Sequence, residues 1–215
     1  MPHETLEHAY GLMREHIART AAPVIFELGM CDGYHTNMLL SWVNGPLFYY
    51  YGFEPDPRNV ARIRGTGLPS RINFYPDAIG HVTGKIPFHL ATPEPNGGIG
   101  SSSISEFTPV LTQCWAWLKC QGDVEVQCWR LDDFCAANEV DRIDFLWMDV
   151  QGAERLVFDG APKMLEKTRL LWTEYDGGTL YKDSSTIADI LARFPGWTVL
   201  ADIGGDVLLK NPAYP

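Results

Sequence analysis

The sequence has little that would tie it to a nucleic acid, a membrane or a disulfide scaffold. Lysine and arginine are scarce, 17 against 27 aspartates and glutamates, and the net charge of -10 repels phosphate backbones and anionic lipid. No basic patch offsets it, so no nucleic-acid partner is expected. No apolar run approaches the roughly 18 residues that a membrane span requires, and no membrane partner is expected either. The five cysteines, at 31, 114, 120, 128 and 135, include no C-x-x-C pair and leave one thiol over in any pairing scheme. Zinc is therefore disfavoured, and reduced thiols in a cytosol-like compartment are expected. Met1 to Thr20 carries His3, Glu4, Glu7, His8, Arg14, Glu15, His16 and Arg19, which leaves no apolar core of signal-peptide type, so the expected location is cytoplasmic. The G-x-G-x-x-G turn of dinucleotide-binding proteins is also missing, which disfavours a nicotinamide-dependent oxidoreductase.

What is present reads as one globular α/β domain. Apolar residues make up 46% of the 215, enough for a chain of this size to bury roughly 70% of its unfolded surface without staples. Leu6, Tyr10, Met13 and Ile17 recur at helical spacing, and Pro23 stops that opening helix before the apolar run Val24 to Gly29. Strand and helix then alternate. Strands are expected at Leu47 to Phe53, Ile72 to Ala78, Ile143 to Val150 and Leu170 to Tyr175, with an edge strand at Val124 to Trp129. Trp197 to Ile203 and Asp206 to Lys210 flank Gly204-Gly205, a hairpin signal. The fold class is a single doubly wound, Rossmann-like sheet of about seven strands, mostly parallel, with a C-terminal antiparallel hairpin and helices on both faces. The domain spans 1–215: an N-terminal helix over 1–22, a ligand-binding core over 24–176, and a C-terminal helix and hairpin over 177–215. Residues 92–105, rich in Pro, Gly and Ser, form a long loop that is functional or mobile. Trp115, Trp117 and Trp129, like Tyr49 to Tyr51, are expected in the core.

Ligands of open parallel sheets gather at the carboxyl ends of the strands. Here the first strand ends in Glu27-Leu28-Gly29-Met30-Cys31-Asp32-Gly33, and the next four end in Glu54, Asp77, Asp149 and Glu174. A lone acid at such a place often only caps the next helix. One acid on each of five successive ends, in strands otherwise almost uncharged, points to a cationic ligand. Gly29 and Gly33 permit a sharp turn and close approach of the backbone, but acids at this turn would repel a pyrophosphate. Glu54 is placed to accept both hydroxyls of a ribose. A nucleoside with a positive tail satisfies the whole set.

These residues resemble the FkbM-like methyltransferases, class I S-adenosylmethionine-dependent enzymes, over about residues 24–176. The resemblance rests on Glu27 to Gly33, on Phe53-Glu54-Pro55-Asp56-Pro57, on Asp77-Ala78-Ile79-Gly80, and most specifically on Leu131-Asp132-Asp133-Phe134 followed by Ile143-Asp144-Phe145-Leu146-Trp147-Met148-Asp149-Val150-Gln151-Gly152-Ala153-Glu154 and Gly160-Ala161. Met30, Cys31, Trp147 and Gln151 depart from the family pattern. The resemblance implies S-adenosylmethionine as cofactor and S-adenosylhomocysteine as product. Glu27 and Gly29 would line its amino-acid end, Glu54 its ribose, Asp77 with Ala78 and Ile79 its adenine, and Asp149 its ammonium or the substrate, with Gly33 also binding the cofactor. It also implies O-methylation of a sugar, glycan or small natural-product acceptor. A hydroxyl acceptor needs a base, and Asp149, Glu154, Glu174 and His35 are the titratable groups expected at the pocket mouth. Glu154 is equally a first-turn helix acid and His35 a capping-region side chain. Asp149 with Glu174 could hold a divalent metal through oxygens, but no further ligands are identifiable and no metal is predicted. A non-catalytic module that binds the cofactor is the competing class; the oligomeric state is left open.

Overall fold

The chain opens on a helix, α1 (Leu6–Arg19), because the Thr5 side chain accepts the His8 amide at its N-terminus. In this computed structural model, which describes residues 4–214, its buried stripe is Ala9, Met13 and Ile17. Tyr10 packs at the margin of that stripe, and Leu6, expected within it, is exposed. The order then runs β1 (Val24–Leu28), α2 (Tyr34–Trp42), β2 (Tyr49–Phe53), α3 (Pro57–Thr66), β3 (Ile72–Tyr75), β4 (Ala78–Gly80), β5 (Gly84–Ala91), α4 (Pro109–Cys114) and β6 (Cys120–Arg130). It continues through α5 (Leu131–Ala137), β7 (Ile143–Met148), α6 (Glu154–Asp159), α7 (Pro162–Glu166), β8 (Thr168–Glu174), α8 (Ile187–Arg193), β9 (Thr198–Asp202) and β10 (Asp206–Lys210). No helix among the described residues is long and apolar enough to cross a membrane.

Seven strands form the main sheet in the order β3-β2-β1-β7-β8-β10-β9. The pairs from β3 through β8 are parallel, while β10 runs antiparallel to β8 and β9 to β10, as the hairpin signal required. The order reverses between β1 and β7, so the crevice between their carboxyl ends is the switch point where ligands bind in such sheets. A second, three-stranded sheet, β4-β6-β5, was not expected. The strand read as Ile72 to Ala78 divides at Pro76, which has no amide hydrogen to continue the ladder, and Ala78 to Gly80 pairs with β6 instead. The strand read as an edge is thus the centre of the second sheet.

Alternation along the strands supplies two cores. Phe26, Leu28, Leu146 and Met148 face one side, toward α5 to α8; Ile25, Phe145 and Trp147 face the other, toward α1 and α2. The motif around Phe134 builds the first core. Phe134 meets the rings of Phe26, Tyr51, Phe53, Tyr75 and Trp129 at steep angles. Asp132 accepts the amides of Lys163 and Met164, capping α7. Gly160 lies so close to the second sheet that a Cβ there would sit 1.9 Å from Gly80 O. At the amino end of the sheet, buried Asp144 accepts from Val24 N, Arg142 and Arg169.

Candidate active site

At the switch point the backbone winds through three left-handed residues, Gly29 (φ 88), Cys31 (φ 52) and Gly33 (φ 82). The Gly29 and Met30 amides both donate to Phe53 O at 3.0 Å, and Asp149 N donates to Leu28 O at 3.0 Å. These bonds tie the ends of β1, β2 and β7 together. Gly29 is obligatory there, since a Cβ would lie 1.9 Å from Asp149 O.

A cavity of about 440 Å³ opens over this turn, roofed by residues 94–104 of the long loop. Six acids line it, Asp32, Glu54, Asp56, Asp77, Glu94 and Asp149, and no lysine or arginine does. Glu54 is nearly enclosed; its Oε2 accepts Cys31 N at 2.7 Å and its Oε1 accepts Asp56 N at 2.9 Å. Burial pushes its carboxyl up to about 8 despite those two amides. Asp77 accepts the Trp129 indole at 3.0 Å, and Ala78 and Ile79 complete that wall. Asn59 donates to Ile99 O at 2.7 Å, while its buried Oδ1 has no hydrogen-bond partner and so offers an acceptor to a ligand. Cys31 also lines the cavity, but burial and Glu54 push its thiol up to about 12, so it is not a nucleophile at neutral pH.

Glu27, expected at the amino-acid end of the ligand, does not line this cavity. It is fully buried on the α2 side of the sheet, where Oε2 accepts the hydroxyls of Thr36 at 2.6 Å and Tyr50 at 2.5 Å and Oε1 has no partner. Side chains alternate along β1, and Glu27 falls on the face opposite Phe26 and Leu28. Gly33 likewise serves the turn into α2 rather than the lining.

A second cavity of about 230 Å³ adjoins the first and shares Glu94, Ser101 and Gln151 with it. Gln151 is the partition: its Nε2 donates to Asp149 Oδ1 at 2.7 Å and to Glu174 Oε2 at 3.1 Å, and the Tyr181 hydroxyl lies 3.3 Å from its Oε1 and 2.9 Å from Ser101 O. The expected catalytic set is therefore divided. Asp149 and His35 line the first cavity, Glu154 and Glu174 the second. Burial, reinforced by Asp149, raises Glu154 to about 8 and Glu174 well above the usual carboxylate range, so both hold protons near neutrality. Burial lowers His35, with Asp149 and Asp32 opposing it, and its ring lies 4.5 Å from that of Trp147.

Trp115, expected in the core, is 42% exposed and lines the second cavity; Trp117 lines that cavity too but packs, as expected, against an apolar cluster of Ala91, Leu111, Leu118 and Tyr181. Trp129 packs against the first core as anticipated. Asp56, Asn59 and Tyr181 were not foreseen as site residues. Asp56 had a visible signal, Asp-Pro at a helix start, and it does cap α3 while also gripping Arg58 and Ser102. Nothing in the sequence marks Asn59 or Tyr181.

The model of the methyltransferase FkbM domain matches residues 27–197 of this chain. A protein named 2-O-methyltransferase NoeI, from Sinorhizobium fredii (strain NBRC 101917 / NGR234), is 35% identical over 201 residues, which cover 88% of this chain and 79% of that protein. The crystal structure of methyltransferase FkbM from Methylobacillus flagellatus KT superposes with a TM-score of 0.52 at 16% identity, a likeness of fold; the match covers 88% of this chain and 44% of that longer one. On these matches, and with an acid-lined cavity at the switch point of the sheet, the chain belongs to the FkbM methyltransferase domain family and is a methyltransferase.

Proposed function

We propose that this enzyme transfers a methyl group from S-adenosylmethionine to a hydroxyl of a sugar or glycan, leaving S-adenosylhomocysteine. One observation carries the reading: a large cavity with six acids and no cation meets, across Gln151, a smaller cavity that combines indole rings with carboxyls. The first suits an adenosine with positive charges, and Gly29, which leaves room for nothing beyond hydrogen, and the unpartnered Asn59 Oδ1 fit such a guest. The second suits an acceptor rich in hydroxyls. The name of the NoeI relative, a 2-O-methyltransferase, favours oxygen as the atom methylated.

When bound, the donor supplies an electrophilic methyl group on a cationic sulfur. The remaining work falls to the protein, chiefly alignment. In this reading Glu54 accepts the ribose hydroxyls, Asp77 with Ala78 and Ile79 borders the adenine, and Asp149 faces the ammonium. Glu154 and Glu174, holding their protons, donate to acceptor oxygens. A ring nitrogen of His35, neutral because its side chain is poorly solvated, takes the hydroxyl proton, and the negative Asp149 favours the resulting imidazolium. The roof residues 94–104 exclude water. Calorimetry with S-adenosylhomocysteine, followed by transfer of labelled methyl to neutral glycosides, tests the assignment. His35→Gln should keep product affinity and lose turnover at least about 100-fold. Absence of binding heat in the wild-type protein would refute it.

A further inference from the structure

The charge around the second cavity says which form of a sugar can enter. Glu94, Glu154, Glu174 and Asp176 line it, and no lysine or arginine does. Three nearby basic side chains are already engaged: Arg58 grips Asp56, Arg155 grips Asp183, and Lys182 pairs with Glu106. The other wall is apolar. Trp115, Trp117, Leu111 and Leu118 offer flat hydrocarbon surface, and Trp115 stands at the rim, partly in solvent. A pyranose matches both halves, with its C–H face on an indole and its hydroxyls on the carboxyls.

Sugars enter glycans from phosphate-activated precursors. A nucleoside diphosphate brings two negative charges, for which this cavity has no lysine or arginine as counter-ion, while Glu94 and Asp176 stand as like charges beside the protonated Glu154 and Glu174. Like-charge contacts of that kind discriminate strongly between partners. The first cavity offers no refuge for the phosphates, since it too has acids and no lysine or arginine in its wall.

Building on the sugar-hydroxyl reading above, we propose that the second cavity accepts a neutral or amine-bearing sugar already joined to its aglycone or glycan. Sugar phosphates and nucleoside-diphosphate sugars are excluded. The reaction that supplies the substrate is then a glycosyl transfer, which discards the phosphates, and methylation follows it. The exposed Trp115 leaves the rim open for the attached chain to run outward.

The test compares one sugar in three states. With the protein saturated by S-adenosylhomocysteine, p-nitrophenyl glycosides of galactose, mannose and N-acetylglucosamine are titrated beside their 1-phosphates and nucleoside-diphosphate forms. At least one glycoside should bind, and its charged counterparts should bind about 100-fold more weakly or not at all. Trp115→Ala should weaken the glycoside about tenfold and leave S-adenosylhomocysteine affinity unchanged. Glu94→Lys should narrow the gap between glycoside and phosphate. A nucleoside-diphosphate sugar that binds or is methylated as well as the glycoside overturns the proposal. So does binding of S-adenosylhomocysteine with no binding of any glycoside, a result that leaves the donor site standing. Failure to bind S-adenosylhomocysteine at all would instead strike the reading on which the proposal rests.

Discussion

Glu54 should act as a proton gauge for donor-site binding. In the ligand-free chain its carboxyl sits at about 8, so roughly 90% of molecules hold the proton at pH 7. Ribose hydroxyls prefer the ionised acceptor, and binding must therefore expel that proton. The expulsion costs about 1.4 kcal/mol at pH 7 and nearly nothing at pH 9. Affinity for S-adenosylhomocysteine should thus rise about tenfold from pH 6 to 7 and level off above 8, with about 0.9 proton released at pH 7.

Glu54→Gln removes the titration and also a charge-assisted acceptor, about 1.5–3 kcal/mol of interaction. At pH 7 the relief from deprotonation offsets part of that loss, so the gap between wild type and variant should widen about tenfold between pH 7 and 9. The variant carries a second signature. The two Glu54 oxygens accept different amides, Asp56 N and Cys31 N, so whichever way a glutamine amide turns, one of them faces NH2 and loses its bond. Stability should fall by about 1–3 kcal/mol. Calorimetry in two buffers of different ionisation enthalpy reads the proton count, and denaturant titration reads the stability. Parallel pH profiles and equal proton release in the two proteins would refute the reasoning.

Other outcomes are as definite. Gly160→Ala forces a Cβ against Gly80 O and should lower stability by more than about 3 kcal/mol, measured as a drop in the denaturation midpoint; a midpoint within error of wild type would contradict the close packing. Glu27, Glu54 and Glu154 sit at about 8 when folded against about 4.3 unfolded, so the unfolded chain loses protons first as pH rises and stability should decline from about pH 4.3 through 8. Asp56, held below its usual range with Arg58 as partner, acts oppositely: its contribution is present above about pH 3.9 and vanishes in stronger acid. Denaturant midpoints near pH 5 should therefore exceed those near pH 8.5. Turnover should show an acid limb below the usual histidine pKa of about 6.5, from His35, and Asp149→Asn should move that limb further toward acid, since Asp149 raises the His35 pKa. A limb that stays in place would remove His35 from the role of base.

Much of the scaffold was legible because period and punctuation coincide in it. The acid that ends each parallel strand could be read from the chain, and so could the hairpin at Gly204-Gly205. The break at Pro76 was visible as a proline, but its consequence, a second sheet, depends on β6 finding β4 and β5 across a long sequence separation. Glu27 was misplaced because a strand-end position says nothing about which face a side chain takes until its partners, the hydroxyls of Tyr50 and Thr36, are known. Trp115 was assigned to the core on its size, and only the fold shows a cavity beside it.

The segments that carried the family likeness explain why the donor side was readable and the acceptor side was not. Asp132, Phe134, Asp144 and Gly160 cap α7, bind five rings, bolt the sheet's amino end and seat α6 on β4. They are scaffold around the crevice at the switch point rather than lining of it. Most of the walls of the second cavity come from residues 111–118 and 174–185, outside those motifs, with Gln151, Gly152 and Glu154 of the motif at its inner side; Asp176 ties the outer segment together by accepting from Gly178, Leu180 and Ser184. Specificity is therefore free to change there without disturbing the donor site. Gln151 hydrogen-bonds to both sides, to Asp149 and to Glu174, which makes it the residue whose replacement should alter donor and acceptor binding together.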